Sequence, residues 1–130
     1  MIPIFGKKLD KEPRKRAAAY AVIIENDKIV VVYDSNKMCF LPGGGIKLDE
    51  TAEEAVLREI REECGRIAEI NGFIGDAIQY FTSSKGEYYR MRVHFYICSF
   101  KSDPSLEAEH LVAWQNPRDL QFIYESFRWE

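Results

Sequence analysis

Hydrophobic and polar positions along the chain predict a strand-rich fold with one well-marked helix. Residues 17–25 are apolar and then β-branched, and residues 28–33 have the same β-branched character. Asn26 and Asp27 lie between them and supply turn chemistry, so this region is predicted to form a β-hairpin. Further strands are expected at residues 77–82, 88–100 and 110–114.

The helix has the strongest local signals in the sequence. Thr51, followed three residues later by Glu54, forms a capping box, and Gly65 provides a C-terminal stop. The sequence therefore predicts a helix over residues 52–64.

Proline and glycine mark two other segments. Pro42 and three glycines follow the short apolar residues 38–41, and neither a helix nor a strand is expected to continue through them. Near the C-terminus, Pro117 is placed to begin a final helix. The side chains expected to dock that helix on the sheet are Leu120, Ile123 and Phe127. The whole pattern indicates an α/β (α+β) sandwich in which helices pack on a mixed sheet.

Length and composition are those of an ordinary globular protein. The 130 residues, 46% hydrophobic and 30% charged, fit a single domain over residues 1–130, with residues 1–16 as a basic lead-in segment. The lead-in is either a solvated approach to the first strand or a segment whose residues 14–16 contact substrate phosphates. A net charge of −3 argues against nucleic-acid binding as the main activity, although a bound metal can still attract an anionic substrate.

The cysteines and the apolar runs bear on the compartment. Cys39, Cys64 and Cys98 are widely spaced and form no CxxC pair, so neither a zinc site nor a redox motif is indicated. Free thiols in a reducing compartment are expected. The first residues lack the apolar core of a signal peptide, and no apolar run approaches the roughly 20 residues of a membrane span. A cytoplasmic location is therefore expected.

One face of the predicted helix is acidic. Glu59, Glu62 and Glu63 stand at positions i, i+3 and i+4, beside an apolar arc that includes Ile60. Each like-charged pair at this spacing costs roughly 0.2 to 0.5 kcal/mol on an exposed helix. A divalent cation would offset that repulsion, since clustered carboxylates suit Mg²⁺ or Mn²⁺.

An alternative interpretation is a solvated helix face stabilised by pairs such as Glu54 with Arg58. The glycines before the helix favour the metal site, because they let the backbone approach a ligand closely. A Walker-type loop is excluded, because the required Gly-Lys-Ser/Thr sequence is absent.

From Gly44 to Arg66 the chain resembles the Nudix box, whose pattern is G-x5-E-x7-R-E-U-x-E-E-x-G-U with U an aliphatic residue. The segment Leu41-Pro42-Gly43 resembles the lead-in that commonly precedes this box. Arg66 occupies the last, normally aliphatic position, which predicts a local shift without loss of chemistry; contact of Arg66 with substrate phosphate is the alternative. The matching positions are Gly44, Glu50, Arg58, Glu59, Ile60, Glu62, Glu63 and Gly65.

The resemblance to Nudix hydrolases, MutT-like members among them, implies a pyrophosphohydrolase that acts on acid anhydrides. In such enzymes a metal-activated water attacks a phosphorus of a diphosphate. The cofactor implied is Mg²⁺, with Mn²⁺ able to substitute. The metal ligands implied are the Gly43 carbonyl and the carboxylates of Glu59, Glu62 and Glu63.

Further roles follow from the same resemblance. Either Glu59 or Glu62 is implied as the general base, and Arg58 is expected to orient Glu59 by a charge-assisted bond. Structural roles within the box are implied for Gly44, Glu50 and Gly65.

Several residues outside the box are also candidates. Glu109, which lies between a predicted loop and the last strand, is preferred over Glu107 as an additional metal ligand; the alternative is that both are surface acids. Arg16 and Phe81 are candidate substrate contacts. The two histidines, His94 and His110, are interpreted as strand or strand-edge residues without catalytic partners.

The expected function is hydrolysis of a diphosphate bond in a small nucleoside-diphosphate-linked substrate, with a (d)NTP or an oxidised nucleotide as candidates. The alternative is a Nudix-fold module that binds nucleotides without hydrolysing them, which usually lacks box acids. Neither a membrane nor a nucleic acid is expected as a partner, apart from capped RNA ends. The protein is expected to be a monomer or a homodimer.

Overall fold

The computed structural model describes residues 1–101 and 107–117. Within these ranges the chain forms nine strands and one helix, and the predicted strand 88–100 and helix 52–64 have the predicted bounds. The elements are β1 (Ile4–Phe5), β2 (Arg14–Val22), β3 (Ile24–Glu25), β4 (Lys28–Tyr33), β5 (Cys39–Phe40), β6 (Gly43–Gly45), α1 (Ala52–Cys64), β7 (Ala68–Thr82), β8 (Tyr88–Phe100) and β9 (Leu111–Gln115).

The strands form two sheets. The larger sheet has the order β1-β7-β8-β2-β6 and is mixed, because β2 pairs parallel with β8 and β1 pairs parallel with β7. The smaller sheet contains β3, β4 and β5, with β9 on the other side of β4. The predicted α+β class is confirmed. The final helix predicted from Pro117 through Leu120, Ile123 and Phe127 falls largely outside the described residues.

The main hydrophobic core joins α1 to both sheets. Val56 and Ile60 of the helix are fully buried against Ala19 and Ala21 of the large sheet and Val30 of the small sheet. In β2 these alanines alternate with residues of the opposite face, so the large sheet has one face toward α1 and one face away from it. That division positions the site described below.

The predicted first hairpin is present but shorter than expected. The strand begins at Arg14, inside the predicted lead-in, and ends at Val22. Ile23 is fully buried in the core that both sheets share, and after it the chain enters the smaller sheet as β3. Asn26 and Asp27 then form the turn to β4 at positive φ values of 51° and 63°.

The expectation that the glycine run halts regular structure is wrong. The three glycines form β6, an edge strand of the large sheet that pairs with β2. An edge strand uses its backbone hydrogen bonds on one side only, so it tolerates the preceding Pro42. Gly43 has φ 150°, and a Cβ there would lie 2.6 Å from the Tyr20 Cα, so close pairing requires glycine.

The strand β7 is longer than the predicted range 77–82, because it begins at Ala68. Its register against β8 shifts between Ile70 and Gly72 and again between Phe73 and Gly75. Such irregularities break the alternation on which the sequence prediction depends.

The helix ends where its capping residues predict. Thr51 and Glu54 form a capping box, and Gly65 adopts the left-handed conformation at φ 68°. The helix buries one arc, which includes Ile60 and Cys64. Across residues 1–101 and 107–117, no helix has the length and hydropathy needed to cross a membrane.

Candidate active site

Arg58 lies at the centre of the acidic helix face. Its guanidinium binds both carboxylate oxygens of Glu50, at 2.7 and 3.0 Å, and it contacts Glu59 at 3.0 Å and Glu62 at 3.2 Å. It also donates to the carbonyl of Gly45 at 3.2 Å. The hydrogen bonds from Arg58 lower the pKa of Glu50 to about 2, so that carboxylate stays charged and ties the preceding loop to the helix.

Glu63 is the one acid of this face that is buried, with 7% of its surface exposed. One carboxylate oxygen accepts a hydrogen bond from the Gly43 amide at 2.8 Å, and the other lies 3.5 Å from Nε2 of His110. Burial raises the pKa of Glu63 to about 8. The hydrogen bond from the Gly43 amide acts in the opposite direction, and the charges of Glu59 and Glu109 raise the pKa further. Glu63 is therefore held close to strand β6 in an electrostatically unfavourable place.

The backbone of β6 faces these acids. Because the backbone groups of Pro42 and Ile46 bond to β2, the alternating Gly43 and Gly45 direct their amide and carbonyl groups away from β2, toward the helix side. The Gly43 amide is the group that binds Glu63. The Gly43 carbonyl, the predicted metal ligand, lies along the same edge.

Gly44 gives Glu59 room beside this edge. A Cβ at Gly44 would lie 2.8 Å from the Glu59 carboxylate, so a larger residue would displace it. Burial raises the pKa of Glu59 in spite of the hydrogen bond from Arg58. Gly44 thus allows an acid to sit against the strand edge.

The segment before β9 docks on the C-terminal end of α1. The amide of Glu109 donates to the Glu62 carbonyl at 2.9 Å, and the amide of His110 donates to the Glu63 carbonyl at 3.3 Å. The charge of Glu109 contributes to the raised pKa of both Glu59 and Glu63. Glu109 therefore interacts electrostatically with the acids of α1. Glu109 and Glu107, two residues away, are both exposed.

The donor set fits a hard divalent cation, because it consists of carboxylate and backbone carbonyl oxygens. The carboxylates, which range from the buried Glu63 to the exposed Glu109, repel one another, and a cation would offset that repulsion. As they stand, however, no three His, Cys, Asp or Glu side chains in the described ranges converge closely enough to hold an ion. Arg58 holds Glu59 and Glu62, while Gly43 and His110 hold Glu63. Cation binding therefore requires these carboxylates to reorient.

The interpretation of the histidines as strand or strand-edge residues is confirmed, because His94 lies in β8 and His110 directly precedes β9. Both also contact carboxylates. Nδ1 of His94 lies 2.6 Å from Asp76, which Arg92 also binds at 2.7 Å. His110 contacts Glu63. The partner of His94 lies opposite it on a neighbouring strand, so no local pattern could reveal that pair.

The predicted substrate contacts Arg16 and Phe81 meet at the ring of Tyr89. The guanidinium of Arg16 lies over the Tyr89 ring, and Phe81 stacks on that ring. Strand alternation places Lys15 on the other face, so residues 14–16 do not form one surface.

Tyr20 is buried beside Gly43, and burial together with the charge of Glu63 raises the pKa of Tyr20.

Arg66, the departure from the box, packs over the ring of Phe100 at 3.8 Å. The following Ile67 remains 42% exposed, and its carbonyl accepts a hydrogen bond from Lys101 at 2.8 Å. The methylene stem and guanidinium of Arg66 thus cover an aromatic surface that an aliphatic residue would cover.

Known proteins resemble this chain in sequence and in fold. A family model described as the NUDIX domain matches residues 14–129. The chain is similar to a protein named ADP-ribose pyrophosphatase from Methanocaldococcus jannaschii, with 39% identity over 55% of this chain and 53% of that protein. It is also similar to a protein named putative nudix hydrolase 1 from Caenorhabditis elegans, with 30% identity over 79% of this chain and 29% of that protein. The chain thus spans about half or less of the length of these relatives.

Two solved structures share the fold. A NUDIX hydrolase from Nitrosomonas europaea superposes with a TM-score of 0.72 over 88% of this chain and 81% of that chain, at 22% identity. A MutT NUDIX hydrolase from Burkholderia pseudomallei superposes with a TM-score of 0.63 over 88% of this chain and 99% of that chain, at 21% identity. At such low identities the likeness establishes the fold alone.

Proposed function

Because the chain belongs to the Nudix family, we propose that it is a divalent-metal-dependent hydrolase that cleaves the diphosphate bond of a nucleoside-diphosphate-linked substrate. The observation that carries this proposal is the crowding of Glu59, Glu62 and Glu109 around the buried Glu63. Burial raises the pKa of Glu63 to about 8, and the charges of the other three acids act in the same direction. Carboxylates kept together at such a cost need a cation to compensate them.

The residues that would hold the metal are Glu59, Glu62, Glu63, Glu109 and the Gly43 carbonyl. When bound there, Mg²⁺, or Mn²⁺ in its place, supplies Lewis acidity and lowers the pKa of a water. Glu59 or Glu62 accepts the proton of the attacking water as its oxygen bonds to phosphorus, and the bridging P–O bond breaks to release a phosphate product. Arg58 keeps Glu59 oriented through its 3.0 Å bond.

The proposed substrate is a small nucleotide. The archaeal relative is named for ADP-ribose, so ADP-ribose joins a (d)NTP and an oxidised nucleotide as candidates. Small nucleotide substrates and three buried free cysteines are in keeping with the cytoplasmic location predicted from the sequence.

A second candidate is a Nudix-fold module that binds nucleotides without hydrolysing them. The observation in its favour is that Arg58 already holds Glu59 and Glu62, and no preformed metal cluster exists in the part of the chain that the structure describes. Against it stands the presence of every box acid, together with Glu109 docked beside them.

Product formation separates the two candidates. We expect the wild-type protein to hydrolyse at least one of ADP-ribose, a dNTP and an oxidised dNTP in Mg²⁺, and to lose that activity in excess EDTA. The products to be measured are AMP and ribose 5-phosphate from ADP-ribose, or a nucleoside monophosphate and pyrophosphate from a dNTP. Nucleotide binding without these products in either Mg²⁺ or Mn²⁺ would favour the binding module. Hydrolysis that persists in EDTA would contradict the proposed metal dependence.

A further inference from the structure

Three side chains form a stack on the face of the large sheet opposite α1. The guanidinium carbon of Arg16 lies 4.4 Å from the centre of the Tyr89 ring, and the rings of Phe81 and Tyr89 stack with centroids 5.3 Å apart and planes 26° apart. Tyr89 is buried, with 4% exposure, whereas Arg16 is exposed. Tyr89 therefore supports the guanidinium while the rest of Arg16 remains accessible.

Polar groups hold this stack in place. The Tyr89 hydroxyl donates to the Glu87 carboxylate, and Arg14 pairs with the same carboxylate at 3.3 Å. The Glu87 amide donates to the Ser83 hydroxyl at 3.2 Å, and the Ser83 amide donates to the Glu87 carbonyl at 2.8 Å. These bonds close the turn between β7 and β8 and fix the position of the ring under Arg16.

A cavity of about 240 Å³ opens beside the stack. Its wall combines the aromatic surface of Phe81, the cations Arg16 and Lys85, the carboxylate Glu87 and two serines of the turn. Hydrogen-bond donors and acceptors therefore line the same cavity next to a flat aromatic surface.

This mixture fits a nucleobase better than a phosphate. A phosphate offers acceptors only, and the charged Glu87 in the wall would repel it. The edge of a nucleobase carries both donors and acceptors, which can pair with Arg16 and Glu87, and its flat face can stack on Arg16 or Phe81. The cavity thus has the features of a base-recognition site.

The cavity also lies on the sheet face that leads along β2 to the edge where Gly43 meets Glu63. Arg16 and Tyr20 are four positions apart in β2, so both point to the same face, about 13 Å from each other at roughly 3.3 Å per residue. Tyr20 lies beside Gly43, whose amide binds Glu63. A nucleoside diphosphate with its phosphates at the acids has about the reach needed to place its base at Arg16.

We propose that Arg16, stacked on Tyr89 and flanked by Phe81 and Glu87, binds the nucleobase of the substrate. This inference rests on the proposed function, because it places the diphosphate at the carboxylates of α1. It makes Arg16 a specificity-determining residue that acts on binding and leaves the chemical step unchanged.

The test separates the base from the diphosphate. Calorimetric titrations in Mg²⁺ compare α,β-methylene-ADP and α,β-methylene-GDP with methylenediphosphonate, which has the same bridged phosphorus pair and no base. Three variants are compared with the wild type: Arg16→Gln, Arg16→Lys, which keeps the charge without the planar group, and Lys15→Gln. The last is the matched control, because it removes one positive charge from the adjacent position on the opposite face.

We expect Arg16→Gln to weaken the better nucleotide about tenfold and Arg16→Lys to weaken it severalfold, with methylenediphosphonate unchanged within about twofold. Lys15→Gln should leave all three affinities unchanged. Equal weakening of nucleotide and methylenediphosphonate by Arg16→Gln would show that Arg16 serves the phosphates and would overturn the proposal. A wild-type protein that binds nucleotides no more tightly than methylenediphosphonate would overturn it too.

Two results distinguish an incorrect base site from an incorrect proposed function. If the wild type binds methylenediphosphonate and hydrolyses a nucleotide substrate while Arg16→Gln has no effect, only the base site is wrong. The base would then belong elsewhere, with the 490 Å³ apolar cavity lined by Phe5, Val93 and Phe95 as the alternative. If no nucleotide is hydrolysed but Arg16→Gln still weakens nucleotide binding, the base site stands and the hydrolytic function is wrong.

Discussion

Two regions of the molecule are built in contrasting ways. The acidic edge consists of Glu59, Glu62, Glu63 and Glu109 beside β6, and the aromatic face of the large sheet carries Arg16, Phe81, Glu87 and Tyr89. At the acidic edge most contacts join residues that are close in sequence, such as Arg58 with Glu50, eight positions away, and Gly43 with Glu63, twenty positions away. On the aromatic face, Arg16 meets Tyr89 across two strands that are separated by most of the chain. The groups proposed for chemistry are thus specified locally, whereas those proposed for recognition depend on the completed fold.

The two regions also differ in electrostatics. The acidic edge is held in a strained arrangement, because burial and neighbouring carboxylates raise the pKa of Glu63 and of Glu59. On the aromatic face the Glu87 carboxylate pairs with Arg14, and the hydrogen bond from Tyr89 together with the nearby cations lowers the pKa of Glu87. Substitutions at the acidic edge should therefore change catalysis strongly, while substitutions on the aromatic face should change substrate selection.

The largest effect is expected from Glu63→Gln. The variant keeps the shape of the side chain but removes a charged ligand, so kcat should fall at least roughly a hundredfold, which corresponds to about 2.7 kcal/mol of barrier. Steady-state kinetics on the best substrate measure it. Near-normal turnover, or loss of the folded state as judged by circular dichroism, would contradict the role assigned to Glu63.

Substitution of Glu109 tests whether the proposed metal site includes an acid outside α1. Its amide is fixed on the Glu62 carbonyl, so Glu109→Gln should lower kcat/KM about tenfold, or about 1.4 kcal/mol. Glu107→Gln is the matched control, since both side chains are exposed. It should leave kcat/KM nearly unchanged, because the charge that acts on Glu59 and Glu63 is that of Glu109. Equal, small effects of both substitutions would mean that the two are surface acids.

Substitution of His110 tests whether this residue positions Glu63, a contact that the sequence did not reveal. Because its ring lies 3.5 Å from the carboxylate, His110→Ala should weaken the apparent affinity for Mg²⁺ about tenfold while kcat at saturating metal stays within about twofold. His110→Gln, which keeps a side-chain donor, should restore part of the affinity. Superimposable metal titrations of all three proteins would exclude this role.

The smallest effect concerns the stability of the metal-free protein. The pKa of Glu63 is about 8 in the folded chain, above the value of about 4.3 for an unfolded glutamate, so the folded chain retains a proton that the unfolded chain loses. The contribution of Glu63 to the free energy of unfolding is therefore full below about pH 4.3 and is lost as the pH rises through about 8. In EDTA, the Tm of the wild type should fall more between pH 5 and pH 8.5 than the Tm of Glu63→Gln. Parallel pH dependences would rule out a raised pKa at this residue.

The sequence predicted those parts of the molecule whose causes are local. Thr51, Glu54 and Gly65 define both ends of α1, because capping depends on residues within a few positions of each terminus. The acids of the box lie together on one helix face for the same reason. Glu109 was expected beside them from its place just before the predicted last strand, although its metal-binding role remains a prediction.

The features that escaped prediction depend on tertiary pairing. The glycines of β6 form a strand only because β2 provides a partner for one of their edges. The first half of β7 was missed because register shifts at Ile70 and Phe73 interrupt its alternation. The partners of His94 and Arg16 lie on neighbouring strands, and a sequence pattern contains no record of such cross-strand contacts.

The carboxylates of α1 and Glu109 are proposed to form one divalent-cation site. This is tested by titrating the metal-free protein with Mn²⁺, followed by electron paramagnetic resonance, for the wild type and for Glu63→Gln. We expect saturable Mn²⁺ binding by the wild type, competition by Mg²⁺, and binding at least about tenfold weaker in the variant. Equal Mn²⁺ affinities for the two proteins, or no binding by the wild type, would contradict this proposal.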